Sequence, residues 1–283
     1  MARAAVLGKP IGHSLSPVLH RAAYAAMGLD GWTYEAYECD ETGLWGFLES
    51  LDEEWAGLSL TMPLKRTALK LVDTVSDLAV AVGGANTVVV RDGRRHGDNT
   101  DVHGIVAALT EAGLGAPGSA LVLGGGATAA SALAALAELG LTKAGLAVRN
   151  PDRAAESVSV GERFGLDLRI GSLDRLPDML DGGLVLSTLP GIAADPFAGQ
   201  IAASGAALFD VVYAPWPTAC ASAVEEAGGV VVGGFPMLLH QAVRQVELMT
   251  GRDDVPVEAM RAAGEAELRR RAAMPVSPLS SRD

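Results

Sequence analysis

Apolar and polar positions follow two rhythms along this chain. Short leucine- and valine-rich runs alternate with longer stretches in which Ala and Leu recur every three or four residues. The first rhythm predicts strands near 3–7, 32–38, 56–61 and 86–91, with a short one near 94–97. The second predicts helices near 16–28, 41–51, 63–71 and 75–82. A helix near 103–113 then runs into a glycine- and proline-rich linker, G-L-G-A-P-G-S, where a second series begins. It opens with A-L-V-L-G-G-G, a strand entering a glycine turn, followed by a helix to about 139 and the strand A-G-L-A-V-R. Further strands are predicted near 166–170, 183–188, 207–212 and 229–232. After G-G-F-P the pattern is helical to about residue 273, and residues 274–283, which lack periodicity, are expected to form a disordered tail.

Strands interleaved with helices predict an α/β protein. Residues 1–103 form an N-terminal α/β domain with a mostly parallel sheet. Residues 104–236 form a Rossmann-type sheet that binds a dinucleotide, and residues 237–273 are C-terminal helices. A chain of 283 residues has room for two such domains. Its composition, 49% hydrophobic but only 5% aromatic with 34 glycines, suits close-packed α/β layers. The net charge of −12 argues against a nucleic-acid partner. Cys39 and Cys220 lie far apart and are expected as small buried thiols. Neither they nor the five histidines have metal-ligand spacing, so no metal is expected. The N-terminal apolar stretch is too short for a signal peptide, and no apolar run reaches the ~18 residues of a membrane span. A cytoplasmic location, with no membrane partner, follows as an expectation.

Chemistry concentrates at the ends of these elements. In L-S-L-T-M-P-L-K, residues 58–65, strand alternation puts Leu58, Leu60 and Met62 on a buried face and Ser59 and Thr61 on the other. Pro63 is predicted to start a helix, which places Lys65 in a first turn where a cation is mildly unfavourable. Ser14 and Ser16 precede Pro17, so Ser16 is a natural N-cap. Asn86 opens a strand and Asp101 opens a helix. Singly, each of these has an ordinary reading as a cap or a solvated side chain. Together they sit where open α/β sheets form ligand clefts and would suit a small polyol carboxylate, with Lys65 and Asp101 as a proton-handling pair.

The glycine turn reads G-x-G-x-x-A through Gly124, Gly126 and Ala129, between strand and helix, as a pyrophosphate-binding turn requires. The next strand ends in A-V-R-N-P-D-R. An NAD site usually places an acidic residue there; Arg149, Asn150 and Arg153 instead suit a ribose 2′-phosphate, which favours NADP over NAD.

Taken together, G-K-P-I-G-H-S-L-S-P, L-T-M-P-L-K, G-A-N-T, G-D-N-T-D-V-H-G, the glycine turn, D-V-V-Y-A-P-W-P-T and G-G-F-P-M-L-L-H-Q-A, in this order, resemble the shikimate dehydrogenase family. The likeness runs to about residue 268. It implies reduction of 3-dehydroshikimate to shikimate with NADPH, a step in aromatic amino-acid biosynthesis. By position it implies that Lys65 and Asp101 are catalytic and that Ser14, Ser16, Ser59, Thr61, Asn86, Tyr213 and Gln241 contact the substrate. It assigns Asp77, Gly124, Gly125, Gly126, Ala127, Thr128, Arg149, Asn150, Arg153, Thr188, Leu189, Val211, Gly234 and Met237 to the NADP site. It also implies that residues from about 237 onward pack back on the first domain, in a monomer or homodimer. Four positions depart from the family pattern: Ser59 and Val148 stand where Asn is usual, and Ala127 and Pro236 where Gly is usual. An NAD-dependent quinate/shikimate dehydrogenase, or a non-catalytic NADP-binding sensor, are the competing expectations.

Overall fold

A computed structural model describes residues 1–273; the tail expected over 274–283 lies outside the described residues. The first half carries β1 (Ala2–Gly8), α1 (Ser16–Ala26), β2 (Trp32–Glu38), α2 (Glu41–Glu49), β3 (Trp55–Leu60), α3 (Lys65–Ala68), β4 (Thr74–Val75), α4 (Asp77–Val82), β5 (Thr87–Arg91), β6 (Arg94–Asp98) and α5 (Asp101–Glu111). Its sheet has the order β2-β1-β3-β5-β6-β4. The pairs β1–β2, β1–β3 and β4–β6 are parallel, while β3–β5 and β5–β6 are antiparallel. The β5–β6 hairpin closes over Asp92 and Gly93, at φ 52° and 70°, the left-handed pair that a two-residue hairpin turn requires.

The second half carries β7 (Ala120–Leu123), α6 (Ala127–Glu138), β8 (Lys143–Val148), α7 (Ala155–Arg163), β9 (Asp167–Ser172), β10 (Leu184–Ser187), α8 (Ala198–Ala203), β11 (Ala207–Asp210), α9 (Ala219–Glu226) and β12 (Val231–Val232). All five pairings are parallel, in the order β12-β11-β10-β7-β8-β9. This is the doubly wound dinucleotide-binding arrangement, whose order reverses between β7 and β10. The buried runs of β7 and β10 are continuously apolar up to Ser187, as expected of strands covered on both faces.

Two last helices, α10 (Gly234–Thr250) and α11 (Val257–Ala272), follow. One cluster joins Leu239, Val243, Val246 and Met260 from these helices to Leu19, Tyr24 and Tyr34 of the first half. Another spans Val102 and Ile105 of α5, Leu133 of α6 and Met237 of α10.

Several elements differ from the sequence expectation. The helix predicted over 63–71 is a single turn, α3, starting at Lys65, with Pro63 in the turn before it. The macrodipole of four residues is small, so the positive helix end invoked for Lys65 carries little weight. Met62 lies beyond the end of β3 and is 68% exposed, while Leu58 and Leu60 are buried. Strand alternation stops with the strand. Ser16 is the first residue of α1, not its N-cap; Ser14 Oγ accepts from the Ser16 N–H at 3.2 Å, so Ser14 does the capping work. The short strand β4 was not predicted, and the helical run after residue 234 is broken by Gly251, at φ 70°.

Candidate active site

A cleft of about 320 Å³ opens between the two sheets, below α10. Every residue expected to act in catalysis or on the substrate lines it: Lys65, Asp101, Ser14, Ser16, Ser59, Thr61, Asn86, Tyr213 and Gln241. These come from six separate places in the chain, with Lys65 opening α3 just after Thr61 and Tyr213 following β11. Ser14 and Ser16 leave β1 into α1; Ser59 and Thr61 lie at the carboxyl end of β3; Asn86 precedes β5; Asp101 starts α5; Gln241 faces in from α10. Thr128 and Val211 reach the same cleft from the second half, and Gly234 and Met237 from the start of α10.

Lys65 Nζ lies 2.7 Å from Asp101 Oδ2, with side chains only 16% and 6% exposed. Asp101 Oδ1 accepts from Asn86 Nδ2 at 2.8 Å. Asn86 Oδ1 in turn accepts from the Thr100 N–H at 2.8 Å, which fixes the orientation of the amide. Asp101 is not the cap of its own helix. Asn99 Oδ1 accepts from the N–H groups of Asp101 and Val102, at 3.0 and 3.3 Å, while Asn99 Nδ2 donates to Gly84 O at 2.8 Å. Asp101 therefore keeps both oxygens for Lys65 and Asn86. Burial raises the Tyr213 phenol above its usual range, opposed by the charge of Arg271. The other polar groups of the lining are hydroxyls, amides and His13, set among apolar side chains such as Val6, Ile11, Leu60 and Met237, a mix suited to a small hydroxylated ligand.

Ser59, the departure from the family pattern, is 4% exposed and bonded on two sides. It accepts from Tyr34 Oη at 2.6 Å and donates to Gln245 Oε1 at 2.7 Å. Asn99, Tyr34, Thr87 and Gln245 were all missed by the sequence reading. Gln245 had an available signal: it lies four residues after Gln241, on the same helical face.

The glycine turn sits outside the carboxyl ends of β7 and β10, at the point where strand order reverses. Gly124 has φ 111°, and a Cβ there would fall 2.5 Å from Thr188 Oγ1, so only glycine fits. Thr188 Oγ1 donates to Leu123 O at 2.7 Å, tying the two strand ends together. Leu189 borders the same turn. Gly125 and Gly126 are exposed, and a Cβ on Gly126 would meet nothing within 4 Å. The twelve-residue α6 starts at Ala127 with no side-chain cap, so its first N–H groups have no side-chain acceptor from the cap residue. Those donors fit a dinucleotide phosphate. Arg149 and Asn150 are exposed at the end of β8. Asn150 Oδ1 is already committed to the Asp152 N–H at 3.0 Å as a turn cap, while Arg153 belongs to the 3-10 turn Pro151–Arg153. Asp77 is exposed at the first position of α4 and does not line the cleft. Pro236 falls in the first turn of α10, where a missing N–H costs no helical bond.

No helix among the described residues is long and apolar enough to cross a membrane, and no group of three or more His, Cys, Asp or Glu among them could hold a metal ion. Two family profiles match: the shikimate dehydrogenase substrate binding domain over residues 6–88, and the shikimate 5′-dehydrogenase C-terminal domain over residues 234–263. A shikimate dehydrogenase (NADP(+)) of Thermus thermophilus is 37% identical over 254 residues, 89% of this chain and 93% of that protein. The crystal structure of Mycobacterium tuberculosis shikimate dehydrogenase superposes with a TM-score of 0.88 at 45% identity, covering 94% of this chain and all (100%) of that one. A Thermus thermophilus shikimate 5-dehydrogenase in complex with NADP(H) and shikimate superposes with a TM-score of 0.82 at 32% identity, over 94% and 99% of the two chains. The chain belongs to the shikimate dehydrogenase family.

Proposed function

We propose that this protein is an NADP-dependent shikimate dehydrogenase, which interconverts 3-dehydroshikimate and shikimate, with residues 1–103 holding the substrate, 104–236 the cofactor, and 237–273 closing back on the substrate side. The observation that carries the reading is the Lys65–Asp101 pair, 2.7 Å apart, inside a cleft where Ser14, Ser16, Thr61, Tyr213 and Gln241 also present hydroxyl and amide groups. NADPH, when bound, supplies the hydride for the ketone carbon. The glycine turn with the uncapped start of α6 would hold its pyrophosphate, and Arg149 its 2′-phosphate.

The chain's own residues handle the oxygen. Negative charge grows on the ketone oxygen during reduction, and a positioned cation with a proton to give stabilises it. Lys65 Nζ carries that proton. Asp101 holds Nζ in place through Oδ2, and Asn86 holds Asp101 through Oδ1. In the oxidative direction Lys65 takes the hydroxyl proton back. Ser14, Ser16, Thr61, Tyr213 and Gln241 supply hydrogen bonds for the carboxylate and the remaining hydroxyls.

Steady-state rates with shikimate and with quinate, each with NADP+ and NAD+, test the reading. The expected result is the highest kcat/KM with shikimate and NADP+. A higher value with quinate and NAD+ would contradict it, and NADPH binding without any turnover would make the protein a sensor. The reading includes a cytoplasmic location and a monomer or homodimer; a larger assembly in light scattering would contradict the latter.

A further inference from the structure

Behind the cleft, buried polar side chains form a chain of hydrogen bonds whose direction is set by backbone groups. Gln245 Nε2 lies 3.3 Å from the Asn86 backbone carbonyl, which can only accept. The amide orientation is therefore fixed, and Gln245 Oε1 faces Ser59. Ser59 must donate its one proton there, at 2.7 Å, so Tyr34 must donate to Ser59, at 2.6 Å. On the other side, Gln245 Nε2 donates to Thr87 Oγ1 at 3.1 Å. Thr87 then donates to Asn86 Oδ1 at 2.9 Å. Asn86 Nδ2 donates to Asp101 Oδ1 at 2.8 Å, and Lys65 Nζ donates to Oδ2 at 2.7 Å. Tyr34, Ser59, Gln245, Thr87, Asn86 and Asp101 are each 4% exposed or less.

We propose that Tyr34, Gln245 and Thr87 are positioning residues, forming with Ser59 a one-directional hydrogen-bond relay that orients Asp101 through Asn86 and leaves Ser59 facing the cleft as an acceptor only. The direction has two consequences. Asp101 meets donors on both oxygens, so its geometry at Lys65 depends on groups as distant as Tyr34. A serine hydroxyl has one proton and two lone pairs. With the proton spent on Gln245 and one lone pair on Tyr34, Ser59 offers the cleft a single lone pair. A ligand must bring a hydroxyl donor to it; a ketone or ether oxygen placed there would go unpaired. Tyr34 is itself held by a stack on His20, with centroids 3.9 Å apart, and His20 Nδ1 donates to Ser16 O at 2.9 Å. The relay thus also abuts the serine end of the cleft.

The catalytic readout of this inference rests on the proposed dehydrogenase activity. Gln245→Met removes both amide functions at similar volume. It should lower kcat for shikimate oxidation roughly 10-fold, the scale of one lost hydrogen bond, with a smaller change in KM. In an Asp101→Asn background the same substitution should cost less than ~2-fold of the residual rate, because residues that act through one another are not additive. Tyr34→Phe, a milder change that keeps the stack on His20, should lower kcat in the same direction. A full 10-fold loss in the Asp101→Asn background would overturn the relay. A second readout needs no turnover: in the NMR spectrum of the free protein, Gln245→Met and Thr87→Val should each move the Asn86 side-chain amide resonances. Unmoved resonances would overturn the relay, whereas a wild-type enzyme inactive on shikimate would refute only the proposed activity.

Discussion

Gly104 offers a sharp test of how α5 and α10 set the cleft. It lies one turn into α5, where an exchange for Ala ordinarily stabilises a helix by about 1 kcal/mol. Here a Cβ would sit 2.7 Å from the backbone oxygen of Met237, 3.0 Å from Gln241 Cβ and 3.2 Å from Gln241 N. The ordinary spacing of non-bonded carbon atoms is ~3.5 Å. Met237 O and Gln241 N belong to the backbone of α10, so no side-chain rotation relieves the clash and the two helices must separate. Overpacking of this kind costs about 1–3 kcal/mol, which exceeds the propensity gain and leaves Gly104→Ala destabilised by about 1 kcal/mol. The displaced residue, Gln241, faces the cleft with Oε1 3.4 Å from Asn86 Nδ2. Since an ångström of misplacement can cost up to ~10²-fold, kcat/KM for shikimate should fall roughly 10-fold. Gly46→Ala in α2, where a Cβ meets nothing within 4 Å, is the control and should gain about 1 kcal/mol. Urea unfolding midpoints and steady-state rates on the two variants decide the matter. A Gly104→Ala protein as stabilised as Gly46→Ala, with unchanged kcat/KM, would refute the close approach.

Three further predictions follow from the same geometry. Asn99→Ala removes the acceptor for two N–H groups at the start of α5 and should cost about 1–2 kcal/mol in unfolding free energy, with a fall in kcat as Asp101 loosens; unchanged stability and rate would contradict its capping role. Burial pushes His20 from 6.5 down to about 4, against the opposing bond to Ser16 O, so the unfolded chain binds its proton first as pH falls. Stability should therefore decline from about pH 6.5 toward pH 4, by up to roughly 3 kcal/mol, and His20→Phe should remove that part of the slope; identical slopes in denaturant unfolding would contradict it. Arg149→Ala should weaken NADPH binding roughly 10-fold, as loss of a charge-assisted bond to phosphate would, and leave NADH nearly unchanged; equal losses in fluorescence titrations would mean that Arg149 does not read the 2′-phosphate.

The alternation of strand and helix patterns was enough to read every strand but β4, most plainly in the second sheet, where buried parallel strands such as β7 and β10 are continuous apolar runs. The site was legible where chemistry falls at element ends: Ser14, Thr61, Lys65, Asn86 and Asp101 all stand there, and the structure brings them into one cleft. What failed was local geometry set by tertiary contacts. Pro63 looked like a helix start, yet the chain turns for two more residues and α3 is a single turn. Met62 fitted the alternation of β3 by spacing, but pairing ends at Leu60. Ser14 took over the capping that spacing had assigned to Ser16, and Asn99 fills the ordinary cap role that stood as the alternative reading of Asp101. Gln245 and Tyr34 were illegible for a different reason. Their partner Ser59 is 186 residues from one and 25 from the other, and no short pattern records such a pairing.

The central claim is that Lys65, held by Asp101, stabilises and protonates the developing alkoxide. Steady-state kinetics of Lys65→Met in shikimate oxidation with NADP+ test it most directly, because an interaction made in the transition state appears in kcat and one made equally in the ground state appears in KM. The account predicts a fall of at least ~10²-fold in kcat, the lower end of what general acid–base catalysis contributes, with KM changed far less. A Lys65→Met enzyme with near-normal kcat and a raised KM would make Lys65 a binding residue and contradict the mechanism.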